Sequence, residues 1–369
     1  MKIVVGLCCS LLLILFAYSP VIAENSWNIS RISSDTPHAG YPQLVSGNNE
    51  WGTVWIDDRE SDLELYFALI NYAGKRIGNE IKLTDNSVDD LTPALVWNGE
   101  DYGVFWSYDR SQIFFTRING QGKKILNDVS IEVSSRGYAI HVSAVWNGEE
   151  YGVVWWDVRD APACIPQGTR GRAFFARVNN SGQMIGSEIP VSDAFSNPWQ
   201  DYKPLIVWDG ENYAVFWNDG RANGQKILGD IKLESNELSP QLTDVEADED
   251  GYIIAYNGRI ATGHLAKMDF NGRTIWVDIP INPSGRGGSP TISIHDATYF
   301  LAWGDFRDRT PQTFYNTEIY YTITDRNANK IIPETRITFE DEPSGEQTQI
   351  SFLRNRMGLA WVDHRDGSP

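Results

Sequence analysis

Cysteine is almost absent: the 369 residues contain three, Cys8, Cys9 and Cys164. The first two lie in an apolar N-terminal run, so a chain that loses that run keeps one thiol and can form no internal disulfide. Histidine is nearly as scarce, and His38, His141, His264, His295 and His364 show no spacing that would hold zinc. Positive charge is the minority sign, with 31 Lys and Arg against 49 Asp and Glu, a net charge of −18. Such a surface repels nucleic acid and anionic lipid, which leaves neutral, cationic or metal-bridged ligands. No segment sustains a 3.6-residue apolar period, so helices should be nearly absent. The chain also has no P-loop, G-x-S-x-G or G-x-G-x-x-G motif. The acidic loops 84–90 and 339–346 do not match an EF-hand. No cofactor is expected, and structural Ca²⁺ in those loops is the sole candidate.

One long apolar run exists, at the N-terminus. Lys2 precedes apolar residues 3–17, and Val21-Ile22-Ala23 fits a small-residue cleavage site. This pattern predicts a signal peptide, residues 1–23, removed after Ala23. The run is shorter than the ~20 residues that span a bilayer, so no membrane insertion is expected once it is cut. Cleavage removes Lys2 and no acid, leaving 30 basic and 49 acidic residues, a net charge of −19. The protein is expected to be exported, to the periplasm, the cell surface or the medium, and to be a monomer.

Aromatic residues are abundant, with 14 Trp, 16 Tyr and 15 Phe, and they recur with a period. "VWNGEEYGVVWWDVRD" (145–160) has relatives at 48–59, 98–110, 209–221, 296–307 and 355–365. Each places a Trp four residues into a strand and an Arg four residues later. The Trp set is Trp55, Trp106, Trp155, Trp217, Trp303 and Trp361; the Arg set is Arg59, Arg110, Arg159, Arg221, Arg307 and Arg365. Two residues before the Arg stands Asp57, Asp157, Asp219, Asp305 or Asp363, with Tyr108 in the remaining copy. Residues 248–259 form a degenerate seventh copy.

Each unit of about 51 residues reads as four strands. A short apolar strand ends in Asn-Gly or Asp-Gly, which supply the positive φ of a tight hairpin. The Trp strand, D-x-R, an aromatic third strand and a Gly turn to a fourth strand follow. Four antiparallel strands repeated seven times predict an all-β protein, a seven-bladed β-propeller of four-stranded antiparallel blades. The units run 41–91, 92–140, 141–202, 203–243, 244–289, 290–346, and 347–369 joined by 27–37, all in one domain, 24–369. The stretch 27–37 reads as a fourth strand that closes the last blade, whose third strand is missing from the pattern.

Gly hairpin, aromatic strand, D-x-R, "IYY" or "IFF" strand and Gly turn together resemble the exported bacterial propeller repeats of the TolB and WD40-like type. The resemblance spans residues 27–369 and implies fold and compartment. It departs in having W-N-G where those repeats carry Ser-Pro-Asp-Gly, and it carries over no site residues.

A catalytic pair is needed once, whereas D-x-R recurs in almost every unit. That favours a structural role, with Asp accepting turn amides and Arg pairing with a carboxylate. Specificity should arise where the repeat is broken, in residues 160–172, Trp199 and residues 308–317, on the face that carries the D-x-R loops. Arg170, Trp199, Arg309 and Tyr315 are the expected ligand-binding residues. The leading function is a binding scaffold for a protein or glycan. The alternative is a glycosidase-like enzyme using two carboxylates, with Asp157, Asp219 and Asp305 as candidates by position.

Overall fold

The Asn-Gly and Asp-Gly pairs turn the chain. Gly99, Gly148 and Gly210 take φ values of 95°, 103° and 100°. The preceding Asn98, Asn147 and Asp209 each accept two backbone N–H groups through Oδ1, which pins the hairpin. The computed structural model describes residues 10–15, 28–33, 39–60, 62–131, 139–159, 171–192, 203–218, 235, 240–258, 262–283, 286–308, 317–338 and 346–363. Among them there is no helix.

Two strands come first, β1 (Ser10–Leu15) and β2 (Asn28–Arg31). Then β3 (Gly40–Ser46), β4 (Glu50–Asp57), β5 (Glu64–Asn71) and β6 (Arg76–Lys82) form an up-and-down antiparallel sheet. The same meander recurs in β7 (Asp90–Trp97), β8 (Asp101–Tyr108), β9 (Gln112–Asn119) and β10 (Lys124–Ile131). It recurs in β11 (Ala139–Trp146), β12 (Tyr151–Asp157), β13 (Arg172–Val178) and β14 (Met184–Pro190). A two-stranded sheet, β15 (Leu205–Trp208) and β16 (Tyr213–Phe216), comes next. Two further meanders follow: β17 (Gln241–Ala247), β18 (Gly251–Asn257), β19 (Gly263–Asp269) and β20 (Thr274–Pro280), and then β21 (Gly287–His295), β22 (Thr298–Asp305), β23 (Glu318–Thr324) and β24 (Lys330–Arg336). Last are β25 (Glu346–Leu353) and β26 (Arg356–Asp363).

This is a propeller arrangement, but among the described residues five sheets are complete blades of consecutive strands, not the seven expected. In the fourth unit the described residues supply two strands, and 219–234 lie outside them. The last sheet is assembled from both ends of the chain, in the order β2-β1-β26-β25. The third position of that sheet was expected to be vacant; Ser10–Leu15 fills it, with Leu12 opposite Arg31 on one side and Trp361 on the other. The first strands touch in a closed cycle: β3, β7, β11, β15, β17, β21, β25 and back to β3.

The core lies between blades. Trp55, Trp106, Trp155, Trp303 and Trp361 are buried, as strands covered on both faces require. Trp217 is half-buried, in the sheet that has two strands among the described residues. Adjacent blades are keyed by a Tyr over a Gly. A Cβ on Gly52 would lie 2.5 Å from the Tyr102 ring, on Gly103 2.9 Å from Tyr151, and on Gly152 2.4 Å from Tyr213. The hydroxyls then bond to the preceding blade: Tyr102 donates to Glu50 Oε1 at 3.2 Å, Tyr252 to Asp209 Oδ2 at 2.7 Å and Tyr299 to Asp248 Oδ2 at 2.6 Å. The inner edge would leave backbone donors unpaired. Side chains of neighbouring first strands satisfy several: Ser46 N donates to Ser351 Oγ at 2.9 Å, and Ile292 N to Asp244 Oδ2 at 2.9 Å.

Candidate functional site

D-x-R closes the corner between the second and third strands. Trp55 Nε1 donates to Asp57 Oδ2 at 3.4 Å, while Arg59 donates its backbone N to Oδ1 at 3.0 Å and Nη2 to Oδ2 at 2.5 Å. The guanidinium also bonds Glu80 on β6 and lies 4.0 Å from the Tyr66 ring centroid on β5. Trp155, Asp157, Arg159, Glu188 and Phe174 repeat this set. Trp303, Asp305, Arg307, Glu334 and Tyr320 repeat it again. Burial opposes the charge on Arg59, Arg159 and Arg307, but hydrogen bonds to the Asp and Glu outweigh it and raise each pKa. Asp57, Asp157 and Asp305 are fully buried. Two catalytic candidates, Asp157 and Asp305, are therefore engaged by their own Trp and Arg; Asp219 lies outside the described residues, as do Arg221 and Arg365. In the closing sheet Trp361 donates to Asp363 at 3.4 Å.

The second blade shows how the corner adapts. With Tyr108 in place of Asp, Trp106 Nε1 donates across to Asp90 Oδ1 at 2.9 Å. Asn86 Nδ2 donates to Asp90 Oδ2 at 2.7 Å, and Glu64 accepts from Thr84 Oγ1 at 2.5 Å and Asn86 N at 2.8 Å. Burial is the main force that pushes the Asp90 carboxyl up to about 7, with Glu64 adding to it. The 84–90 loop is thus anchored by two buried carboxylates, its own Asp90 and Glu64 of β5, and no cluster of three metal-ligating groups occurs among the described residues. Residues 339–345 lie outside them.

Arg170, Trp199, Arg309 and Tyr315, the expected ligand-binding residues, all lie outside the described residues, as does Cys164. The structure instead shows a feature that sequence reading missed. Besides a shorter register shift in β17, between Leu242 and Asp244, five first strands among the described residues carry a two-residue bulge near their start, between Gly40/Gln43, Leu91/Ala94, Ile140/Ser143, Gly288/Thr291 and Glu346/Gln349. In each bulge one non-glycine residue is left-handed: Tyr41 (φ 52°), Thr92 (47°), His141 (56°), Ser289 (55°) and Gln347 (60°). The next residue, Pro42, Pro93, Val142, Pro290 or Thr348, is buried. The left-handed residue is not: Tyr41 is 46% exposed, Ser289 and Gln347 are exposed, and Thr92 and His141 are half-buried.

These residues ring one end of the inner wall. Asp90 pairs with Tyr108, Ala139 with Asp157 and Gly287 with Asp305, so the ring stands two residues inward from the D-x-R corners. Hydrogen bonds link two pairs of its members, Tyr41 N donating to Gln347 Oε1 at 2.6 Å and His141 N to Thr92 Oγ1 at 3.2 Å; Ser289 N donates instead to Asn257 Oδ1 at the end of β18, at 2.8 Å. The shared positions lie on five of the seven first strands around the axis, yet the side chains differ. Further along the wall, Asp244 accepts from Thr291 Oγ1 at 2.7 Å. Burial raises the Asp244 pKa, and burial with Asp244 beside it pushes Glu246 up to about 8. Burial lowers the pKa of Lys203, against the attraction of Asp244.

No family model matches the chain, and no curated protein does. Solved structures do align. A Trypanosoma rangeli sialidase in complex with 2,3-difluorosialic acid aligns at TM-score 0.48 and 9% identity, covering 91% of this chain and 55% of that one. A Dyadobacter fermentans protein of unknown function gives 0.47 and 9%, covering 89% and 95%. TolB from Acinetobacter baumannii gives 0.42 and 8%, covering 96% and 65%. This chain spans about half the length of the sialidase and just under two thirds of TolB. At these values the likenesses carry no argument about activity, ligand or partner.

Proposed function

We propose that this protein is an exported seven-bladed propeller that acts as a binding scaffold, holding a protein or glycan ligand on the face of the D-x-R corners. The closed cycle of first strands supports the blade number, and Lys2, apolar 3–17 and Val21-Ile22-Ala23 support export. The observation that carries the binding role is the contrast between two repeated positions. The D-x-R residues of three blades, Asp57 with Arg59, Asp157 with Arg159 and Asp305 with Arg307, recur in both place and kind and hold one another. The bulge residues Tyr41, Thr92, His141, Ser289 and Gln347 recur in place but differ in kind. Non-glycine residues in this conformation cost about 1–3 kcal/mol each and gather at functional sites. Arg170, Trp199, Arg309 and Tyr315 would extend the same face as an outer rim. The test is a glycan array and a pull-down with the exported protein. A ligand whose affinity falls on substitution at the ring or the outer rim supports the reading; a ligand indifferent to every one of these substitutions contradicts it.

One observation favours a second reading, a glycosidase-like activity. Asp244 and Glu246 share a strand face about 6.6 Å apart along β17, and Glu246 holds its proton up to about pH 8, which suits a general acid. Hydrolysis of an aryl glycoside, abolished in Glu246→Gln, would establish it.

A further inference from the structure

We propose that the ring of Tyr41, Thr92, His141, Ser289 and Gln347 takes the end of a neutral, polyhydroxylated glycan chain. The proposal rests on the binding-scaffold reading above and narrows its ligand.

Charge argues first. In a chain of net charge −18, the five ring positions carry a phenol, two hydroxyls, an imidazole and a carboxamide. The acids at or opposite the corners of the first, second, third and sixth units, Asp57, Asp90, Asp157 and Asp305, are fully buried and hydrogen-bonded to Trp, Arg or Asn. None of the five side chains is an acid, a lysine or an arginine, so a charged ligand end, such as a peptide terminus or a sialic acid, would lose hydration without gaining an ion pair from them. A neutral sugar needs none.

The hydrogen-bonding inventory argues second. Gln347 uses Oε1 to accept the Tyr41 amide, which leaves its NH₂ to donate. Thr92 Oγ1 accepts the His141 amide, so its own O–H points its proton elsewhere. Ser289 is exposed and offers a hydroxyl that both donates and accepts. Mixed donors and acceptors of this kind suit sugar hydroxyls, which also do both. Tyr41, 46% exposed, adds an aromatic face for the C–H side of a pyranose, and a Tyr supplies such a face at low entropic cost. The site is axial and walled by first strands that touch in a closed cycle. That geometry admits a chain end-on, in contrast to a groove that would take an internal segment.

The experiment uses isothermal titration of the exported protein with gluco-, manno-, galacto- and xylo-oligosaccharides, beside sialylated and uronic-acid oligosaccharides as charged probes. Binding of a neutral oligosaccharide is expected, with Tyr41→Gly weakening it at least tenfold and Gln347→Ala three- to tenfold. Glycine relieves the left-handed backbone at position 41, so Tyr41→Gly should melt at the same or a higher temperature, which separates lost binding from lost folding. Tyr41→Phe keeps the ring and should bind within about threefold. The inference is overturned, with the scaffold reading intact, in either of two outcomes. One is tight binding of charged oligosaccharides alone. The other is binding that Trp199→Ala or Tyr315→Ala destroys and Tyr41→Gly leaves unchanged. Capture of a protein partner with no oligosaccharide bound has the same meaning. Absence of any ligand in titration, array and pull-down overturns both.

Discussion

The ring of Tyr151 lies where a side chain on Gly103 would have to go. A Cβ built there would sit 2.9 Å from three of its atoms, and the Tyr151 hydroxyl accepts from Asn98 Nδ2 at 3.0 Å. The Tyr-Gly dipeptide is therefore one half of a peg and one half of a socket, each completed by the next blade. Gly103→Ala should destabilise by about 1–3 kcal/mol, the usual cost of overpacking, and Gly152→Ala by more, since its Cβ would lie 2.4 Å from Tyr213. Urea unfolding of both variants checks the order; a neutral Gly152→Ala would show that the interface yields freely.

The buried carboxylate of Asp157 holds the Trp155 indole, the Arg159 amide and the Arg159 guanidinium. Asp157→Ala leaves a cation with part of its partner removed and should cost about 3–5 kcal/mol. Arg159→Lys, which cannot bridge Asp157 and Glu188 as a planar fork, should lose a smaller share of that. Chemical denaturation gives both values. Ligand binding by the surviving folded fraction should be unchanged, and a variant of normal stability that cannot bind ligand would return Asp157 to the site.

Asp90 supplies a pH test. Its carboxyl, pushed up to about 7 chiefly by burial, keeps a proton that the unfolded chain releases near pH 4. Between those values the folded state binds more protons than the unfolded state, so this group makes stability fall as pH rises from about 4 to 7 and levels off above. Asn in its place still accepts from Trp106 and carries no charge. The melting temperature of Asp90→Asn relative to wild type should therefore climb between pH 4.5 and 7.5. A difference that stays flat with pH would refute the assignment.

The proposed leader and the closing sheet share residues. Ser10–Leu15 pairs with both β2 and β26, and it lies inside residues 1–23, the segment proposed as a cleavable leader. Hydrogen exchange of the 369-residue chain and of residues 24–369 should differ most in the amides of β26. Equal protection in both would show that β1 adds nothing to that sheet.

The blades were legible because Trp, the Asn-Gly turn and D-x-R recur in sequence at the spacing at which they recur in space. Trp106 shows the limit: its usual Asp partner is replaced by Tyr108, and the substitute, Asp90, comes from another strand. The third strand of the closing sheet was hidden because the apolar run 10–15 reads equally as leader and as buried strand. The axial ring was hidden because nothing local marks Tyr41, Thr92 or His141 as left-handed; the one shared sign is the Pro that follows Tyr41, Thr92 and Ser289. Peg and socket escaped notice because Gly103 and Tyr151 meet only once two blades are stacked.

The seam that joins β1 and β2 to β25 and β26 sets a timetable for folding. Each complete blade is built from neighbouring strands and can form soon after its own residues are synthesised. In a chain that keeps residues 1–23 the seam pairs Leu12 with Trp361, so it must wait for almost the whole chain, and contacts of such long range form slowly. Until then the last hairpin presents an open edge, the kind of surface through which unfinished chains associate. The same seam should be where a folded ring first parts under stress. A circular permutant that joins the present ends and opens between two complete blades would move that late, fragile step to a different pair of sheets.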